Sequence, residues 1–252
     1  MEPGYKILSF DVGIKNLAYC ILEVNTTSKE YKIIDWDIIN LSDVEVIPVC
    51  NFNIVNKTCD KICNKKASFK YPNGFLCKVH KKKVERDNDS TFNKEIKEIK
   101  KKKAKKKPLI ELNKTMIKIL DNIENILNVD EVVIENQPSL KNPHMKSIQM
   151  MIFSYFIMRG ITDKTLEEGG IKDIVMLSAR NKLKIYKGPE VECDITDKYR
   201  RNKYLAIQYC KYMIENQEEK FKTQYSASKK KDDLADSFLQ GVFYLDKKFK
   251  LF

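Results

Sequence analysis

Three β-rich runs crowd the first forty residues, YKILSF at 5–10, LAYCILEV at 17–24 and YKIIDWDII at 31–39, with only short polar or turn-forming stretches between them. Branched and aromatic side chains at that density favour strands, and connections this short join neighbours directly, which predicts an antiparallel meander. Further along, the period changes. In LIELNKTMIKILDNIENILN, Leu109, Leu112, Met116, Leu120, Ile123 and Leu127 recur every three or four residues and predict one amphipathic helix over 109–128. VDEVVIENQP at 129–138 reads as a short buried strand ended by Pro138. A helix at about 144–159, a strand at 174–177, a polar loop and helices at about 198–216 and 232–248 follow. Parallel strands need helical crossovers, so the order βββαβαβαα predicts an α/β fold, a mixed five-stranded sheet flanked by helices.

One segment breaks this plan. Between 50 and 80 Cys, Asn and Lys dominate and no apolar period persists, so something other than a hydrophobic core must hold it. Cys77 and His80 have the two-residue gap of a zinc knuckle, and Cys63 with either Cys50 or Cys59 completes a tetrahedron. Five candidates compete for four places, and the alternative is a set of scattered buried thiols. A closed four-ligand site has no position left for water, so this Zn²⁺ is expected to be structural and to supply the folding free energy of the segment. Residues 94–107 carry nine lysines, closed by Pro108. The expected organisation is therefore a core of 1–49 and 108–252, an inserted zinc-binding module at 50–80, and a lysine-rich linker at 81–107.

The 252 residues suffice for one main domain with an inserted module. Apolar residues at 42% and charged residues at 33%, with few Gly or Pro, exclude disordered and fibrous classes. The net charge of +12 is mostly lysine, which makes a polyanion such as nucleic acid the first partner to consider, against a surface simply decorated with lysine. Seven cysteines, an odd number with four between 50 and 77, fit reduced thiols and a metal better than a disulfide framework, and so an intracellular, reducing compartment. No N-terminal signal is visible. The longest apolar stretch elsewhere, MMIFSYFIM at 150–158, is about half of the roughly 20 residues that span a bilayer, so no membrane partner is expected.

Carboxylates close the apolar runs. In KILSFDVGIKN, Asp11 ends the first strand with no cation before Lys15, and Gly13 permits a tight turn or a close ligand. An unpaired buried carboxylate is costly. Asp11 is therefore either a turn cap, accepting from the backbone of Ile14 or Lys15, or a group with a cation nearby. Glu135 repeats the arrangement at the end of VVIE, and adjacent strands of one sheet would bring the two acids together. In KKKDDLADSFLQGVF, Asp233 and Asp236 share a face of the last helix, whereas Asp232 and Asp233 also suit a helix start. Crowded carboxylates repel unless a cation intervenes, and magnesium or manganese is the hard ion that such oxygens prefer.

FDVGIKN at 10–16, IENQP at 134–138 and DDLADSF at 232–238 resemble the acidic motifs of the RuvC-like Holliday-junction resolvases of the RNase H-like superfamily, most of all those of poxviruses and other large DNA viruses. The resemblance covers about 5–40 and 109–248. It implies an RNase H-like fold and an endonuclease that resolves four-way DNA junctions by paired phosphodiester hydrolysis, leaving 5′-phosphate and 3′-hydroxyl ends. It further implies that Asp11, Glu135, Asp233 and Asp236 hold two Mg²⁺ or Mn²⁺ ions per active site, and that the chain works as a homodimer on branched DNA. Lys203 falls where the family often has a basic residue, there to contact the scissile phosphate, or else is an exposed helix lysine; Asn16 braces the turn after Asp11. The helix at 109–128 and the 150–158 stretch are the expected dimer surfaces, or monomer core. The cysteine insert departs from the short poxvirus pattern. Two other functions remain: an RNase H-like nuclease on another substrate such as an RNA–DNA hybrid, and a non-catalytic zinc and lysine nucleic-acid-binding module whose acids are structural.

Overall fold

β1 (Tyr5–Asp11), β2 (Leu17–Val24) and β3 (Tyr31–Ile39) pair antiparallel in succession, the expected meander. The computed structural model describes residues 4–42, 48–56, 59–87, 93–99, 107–140, 142–164 and 170–252. The chain divides into one unit of Met1–Ser42 with Lys107–Phe252 and a second of Asp43–Lys106. The two points at which the first unit is interrupted lie close together: Lys107 Nζ, its side chain drawn inward, donates to the Ser42 carbonyl oxygen at 2.5 Å.

Within the second unit, β4 (Asn53–Asn56) and β5 (Cys59–Ile62) form a hairpin. β6 (Phe69–Tyr71) pairs with β7 (Gly74–Leu76), and α1 (Lys78–Asp87) follows. β8 (Lys97–Glu98) returns to β6 and makes a sheet of order β7-β6-β8. The linker expected over 81–107 therefore differs from what forms: α1 and β8 belong to the insert, because Val84 and Ile96 pack on the small cluster of Cys50, Leu76 and Cys77. Residues 100–106 of the lysine run lie outside the described residues.

α2 (Leu109–Leu120) starts after Pro108, which cannot continue a preceding helix but suits a helix start. It is shorter than the periodicity suggests. Asn125 takes a left-handed conformation (φ 61°), which no helix interior accepts, and the turn buries Ile126 rather than Leu127. β9 (Glu131–Glu135) and β10 (Asp173–Leu177) then join the meander as parallel strands, giving the sheet order β10-β9-β1-β2-β3. Between them run α3 (Pro143–Phe156) and a wider π-helical turn at Ile157–Thr162. After β10 come a 3₁₀ turn (Ala179–Ile185), α4 (Lys198–Met213), α5 (Glu219–Ala227) and α6 (Lys231–Phe249). The mixed five-stranded sheet flanked by helices is as the sequence predicts. No helix among the described residues is long and apolar enough to cross a membrane.

α6 is the helix that positions chemistry. Leu234, Ala235, Phe238, Leu239, Val242 and Leu245 are buried against the sheet. Gly241 permits the close approach, since a Cβ there would come within 2.7 Å of Leu22 and 3.1 Å of Ser9. Gln240 Nε2 donates to Ser9 Oγ at 3.1 Å and to the Phe10 carbonyl at 3.0 Å, bracing β1 one residue before Asp11. From the other side, Trp36 Nε1 donates to the Leu234 carbonyl at 3.1 Å and the Ser237 hydroxyl at 3.2 Å, which locks the first turns of the helix.

Candidate active site and metal centre

Phe10 of β1 is in register with Ile134 of β9, so the next residues, Asp11 and Glu135, end adjacent parallel strands side by side. Gly13 shapes the turn after Asp11: a Cβ at that position would lie 2.2 Å from the Asn16 backbone oxygen. Burial, then the charges of Glu135 and Asp236, push the Asp11 carboxyl well above the usual carboxylate range, and a hydrogen bond joins it to Glu135. Gln137 Nε2 donates to Glu135 Oε2 at 2.6 Å. Asp236 reaches the same point from α6. Its carboxyl is raised by burial despite an ion pair of 2.6 Å to Lys182 Nζ.

Lys182 is the cation of this cluster, and the sequence motifs do not point to it. Burial alone would lower its proton affinity, but Asp236, Asp11 and Glu135 together raise it, so it is charged. The 178–197 stretch reads as a polar loop, yet Leu177 ends β10 in register with Glu135, and the 3₁₀ turn brings the lysine back over the acids. The available signal was position: Lys182 is the first lysine after the strand that runs beside β9.

The remaining expected residues lie next to this cluster. Asp233, three residues before Asp236, is raised to about 6, by burial first and then by the Asp232 charge, and its Oδ2 is buried without a hydrogen-bond partner. Lys203 pairs with Asp232 at 2.5 Å and lies over the Tyr199 ring; burial disfavours its charge, but these partners outweigh it. The Lys182 charge bears on Asp11 and Asp236, and the Lys203 charge on Asp233. Asp11, Glu135 and Asp236, with Asp233 and its orphaned oxygen next to them, are hard oxygen donors short of positive charge, the donor chemistry that suits divalent ions of the magnesium class.

The insert holds a second donor set. Cys50, Cys63 and Cys77 Sγ and a His80 ring nitrogen all lie within 4.8 Å of one another. His80 Nδ1 is 3.4 Å from Cys50 Sγ and 3.5 Å from Cys77 Sγ, and Cys63 Sγ is 4.0 Å from Cys77 Sγ. A tetrahedron with zinc–sulfur bonds of about 2.3 Å and zinc–nitrogen bonds of about 2.0 Å has edges of about 3.5–3.8 Å, so the donors are spaced to hold zinc. Burial works to raise the Cys77 thiol, but the backbone N–H groups of His80 and Val79 outweigh it and favour the thiolate. Of the two alternatives for the fourth place, Cys50 is in the set; the Cys59 side chain lies outside the described residues. His80 stacks on Phe52 with ring centroids 4.4 Å apart.

Residues 7–139 match the model of a family described as mitochondrial resolvase Ydc2 / RNA splicing MRS1, just over half of the chain and a span that contains Asp11 and Glu135. The chain belongs to this family. An uncharacterized protein of Acanthamoeba polyphaga mimivirus is 34% identical over 96% of this chain and 74% of its own length. Among solved structures, the yeast mitochondrial Holliday junction resolvase Ydc2 superposes with a TM-score of 0.51 at 14% identity, covering 98% of this chain and 83% of that one. The Fowlpox virus resolvase in complex with its substrate Holliday junction DNA gives 0.46 at 16% identity, over 96% and 98%. The likeness to Ydc2 extends the family's fold beyond residue 139 to α6, where Asp233 and Asp236 stand.

Proposed function

We propose that this chain is a divalent-metal-dependent, structure-selective endonuclease that cuts four-way DNA junctions. The observation that carries the reading is the convergence of Asp11, Glu135 and Asp236, distant in sequence, around Lys182. The family description spans a resolvase and an RNA splicing protein, and an acid cluster of this kind favours the nuclease. Asp11, Glu135, Asp233 and Asp236 would hold the two Mg²⁺ or Mn²⁺ ions. When bound, these supply an activated water and offset the charge developing on the phosphate. Lys182 neutralises the carboxylates and offers a donor to a phosphate oxygen, Gln137 orients Glu135, and α6 fixes the spacing of Asp233 and Asp236. Cys50, Cys63, Cys77 and His80 would hold a structural Zn²⁺, which requires reduced thiols and so a reducing compartment.

A four-way junction has two strands to cut, and two copies related by a two-fold axis meet that demand. Supporting a homodimer, the 150–158 stretch divides between two faces. Ile152, Tyr155 and Phe156 are core, while Met150, Met151 and Met158 line an outward groove of about 540 Å³ shared with Leu109 and Ile117 of α2. The deciding experiment incubates the chain with four-way junctions, plain duplexes and RNA–DNA hybrids, with and without Mg²⁺. Mg²⁺-dependent paired nicks in the junction, lost in Asp11→Asn with junction affinity retained, are expected. Preference for the hybrid, or full activity of the variant, overturns the reading.

A further inference from the structure

The formal charge of this chain is segregated. Residues 43–106 carry 18 Lys and Arg against 8 Asp and Glu, so this one segment accounts for +10 of the total +12. The unit that holds the acid cluster is nearly neutral, and its carboxylates repel the very phosphate they must approach. Most of the chain's net attraction for a polyanion therefore comes from the insert.

Those lysines are arranged by the donor set. Lys61 stands two residues before Cys63 and Lys65 two after it; Lys78 lies between Cys77 and His80, and Lys82 and Lys83 follow His80. All five are exposed. Lys65 and Lys83 flank the donor set: the Lys65 carbonyl accepts from the Cys50 N–H at 2.7 Å, and Lys83 Nζ lies 5.3 Å from the centre of the Phe52 ring that stacks on His80. Lys81 is paired with Glu85 at 2.9 Å, whereas Lys61, Lys65, Lys78, Lys82 and Lys83 have no carboxylate partner among the described residues. Cations that surround a closed cross-link without paired acids suit a polyphosphate chain, whose recognition needs charge at intervals rather than a cavity.

We propose that the insert is a sequence-independent clamp for the duplex DNA backbone, with its lysines held in place by the Cys50, Cys63, Cys77 and His80 cross-link. The clamp rests on the reading of the chain as a DNA nuclease: affinity resides mainly in the insert and chemistry in the other unit.

The test uses the full chain with Asp11→Asn to stop cleavage. Its affinity for a four-way junction and a plain duplex is measured from 50 to 200 mM KCl, with and without Lys65→Ala, Lys82→Ala and Lys83→Ala together. Each phosphate deprived of its lysine lowers the slope of log K against log salt by about 0.9, so a drop of about 3 is expected, equal for both DNAs. Cys63→Ser should release zinc and weaken affinity to a similar degree; the lysine variant, with zinc content and circular dichroism unchanged, separates this from misfolding. An unchanged slope in the lysine variant overturns the clamp. If the slope falls but the wild-type chain cuts no junction, the nuclease reading fails and the clamp stands; if it cuts and the slope is unchanged, the clamp alone fails.

Discussion

Asp233→Asn should stabilise the metal-free protein. In the folded chain the Asp233 carboxyl keeps its proton to about 6, against an ordinary value of 3.8, because it is partly buried beside Asp232 and its Oδ2 has no donor. An acid whose folded-state pKa is raised costs stability once the unfolded chain has released the proton. The cost therefore develops as pH climbs from about 4 to about 6 and is complete above it. A shift of that size has a ceiling of about 3 kcal/mol, and the water reaching a partly exposed group reduces it to about 1–2 kcal/mol. For a chain of this length that is a rise of about 2–8 °C in Tm. The assay is calorimetric or fluorescence melting of wild type and variant in a chelator selective for magnesium and calcium, at pH 4 and at pH 8. The variant should melt higher at pH 8, and the gap should shrink to a few tenths of a kcal/mol or about 1 °C at pH 4, where the folded carboxyl is neutral and the unfolded one only about half ionised. Added Mg²⁺ should raise the wild type more than the variant and narrow the gap. Equal melting at pH 8, or the same gain at both pH values, refutes the electrostatic account.

Lys182→Met should lower kcat on junctions by about 10²–10³ with little change in DNA affinity, since it removes a donor beside the reacting phosphate. Lys203→Met, which loses the Asp232 pair, the Tyr199 ring contact and a charge that acts on Asp233, should cost a few-fold; parallel kinetics on both variants rank the two lysines. Gly13→Ala forces a carbon to within 2.2 Å of the Asn16 oxygen. It should cost about 1–3 kcal/mol in chemical denaturation and displace Asp11 enough to depress cleavage. Native mass spectrometry should find one zinc per chain in the wild type and none in Cys77→Ser, with the magnesium response of the melting curve kept.

The meander and both parallel strands were legible because their β-rich runs are bounded by turns and charges, and Asp11 and Glu135 stood out as acids that end apolar runs. Asp236 was legible from the spacing of the last helix. Lys182 was not, because its placement depends on how a polar 3₁₀ turn folds back over the sheet, which has no apolar period to betray it. Lys203 stands at a position where the resemblance implies a basic residue, and its neighbours in space are Asp232 and Tyr199. α2 is shorter than its pattern since periodicity runs on through residues that Asn125 turns out of the helix. α5 is invisible in the pattern because its apolar contribution is confined to Phe221 and Tyr225. The donor set of Cys50, Cys63, Cys77 and His80 was legible as a choice of four from five.

The bond from Lys107 to the carbonyl of Ser42 has a genetic corollary. Where a chain leaves and re-enters a fold at one spot, the length of the excursion barely matters to the host: doubling a loop adds only about 0.6 kcal/mol of closure entropy. Lengthening, shortening or exchanging this segment should leave the sheet and its acids in place, and a short glycine bridge from 42 to 107 should yield a folded miniature body that keeps them.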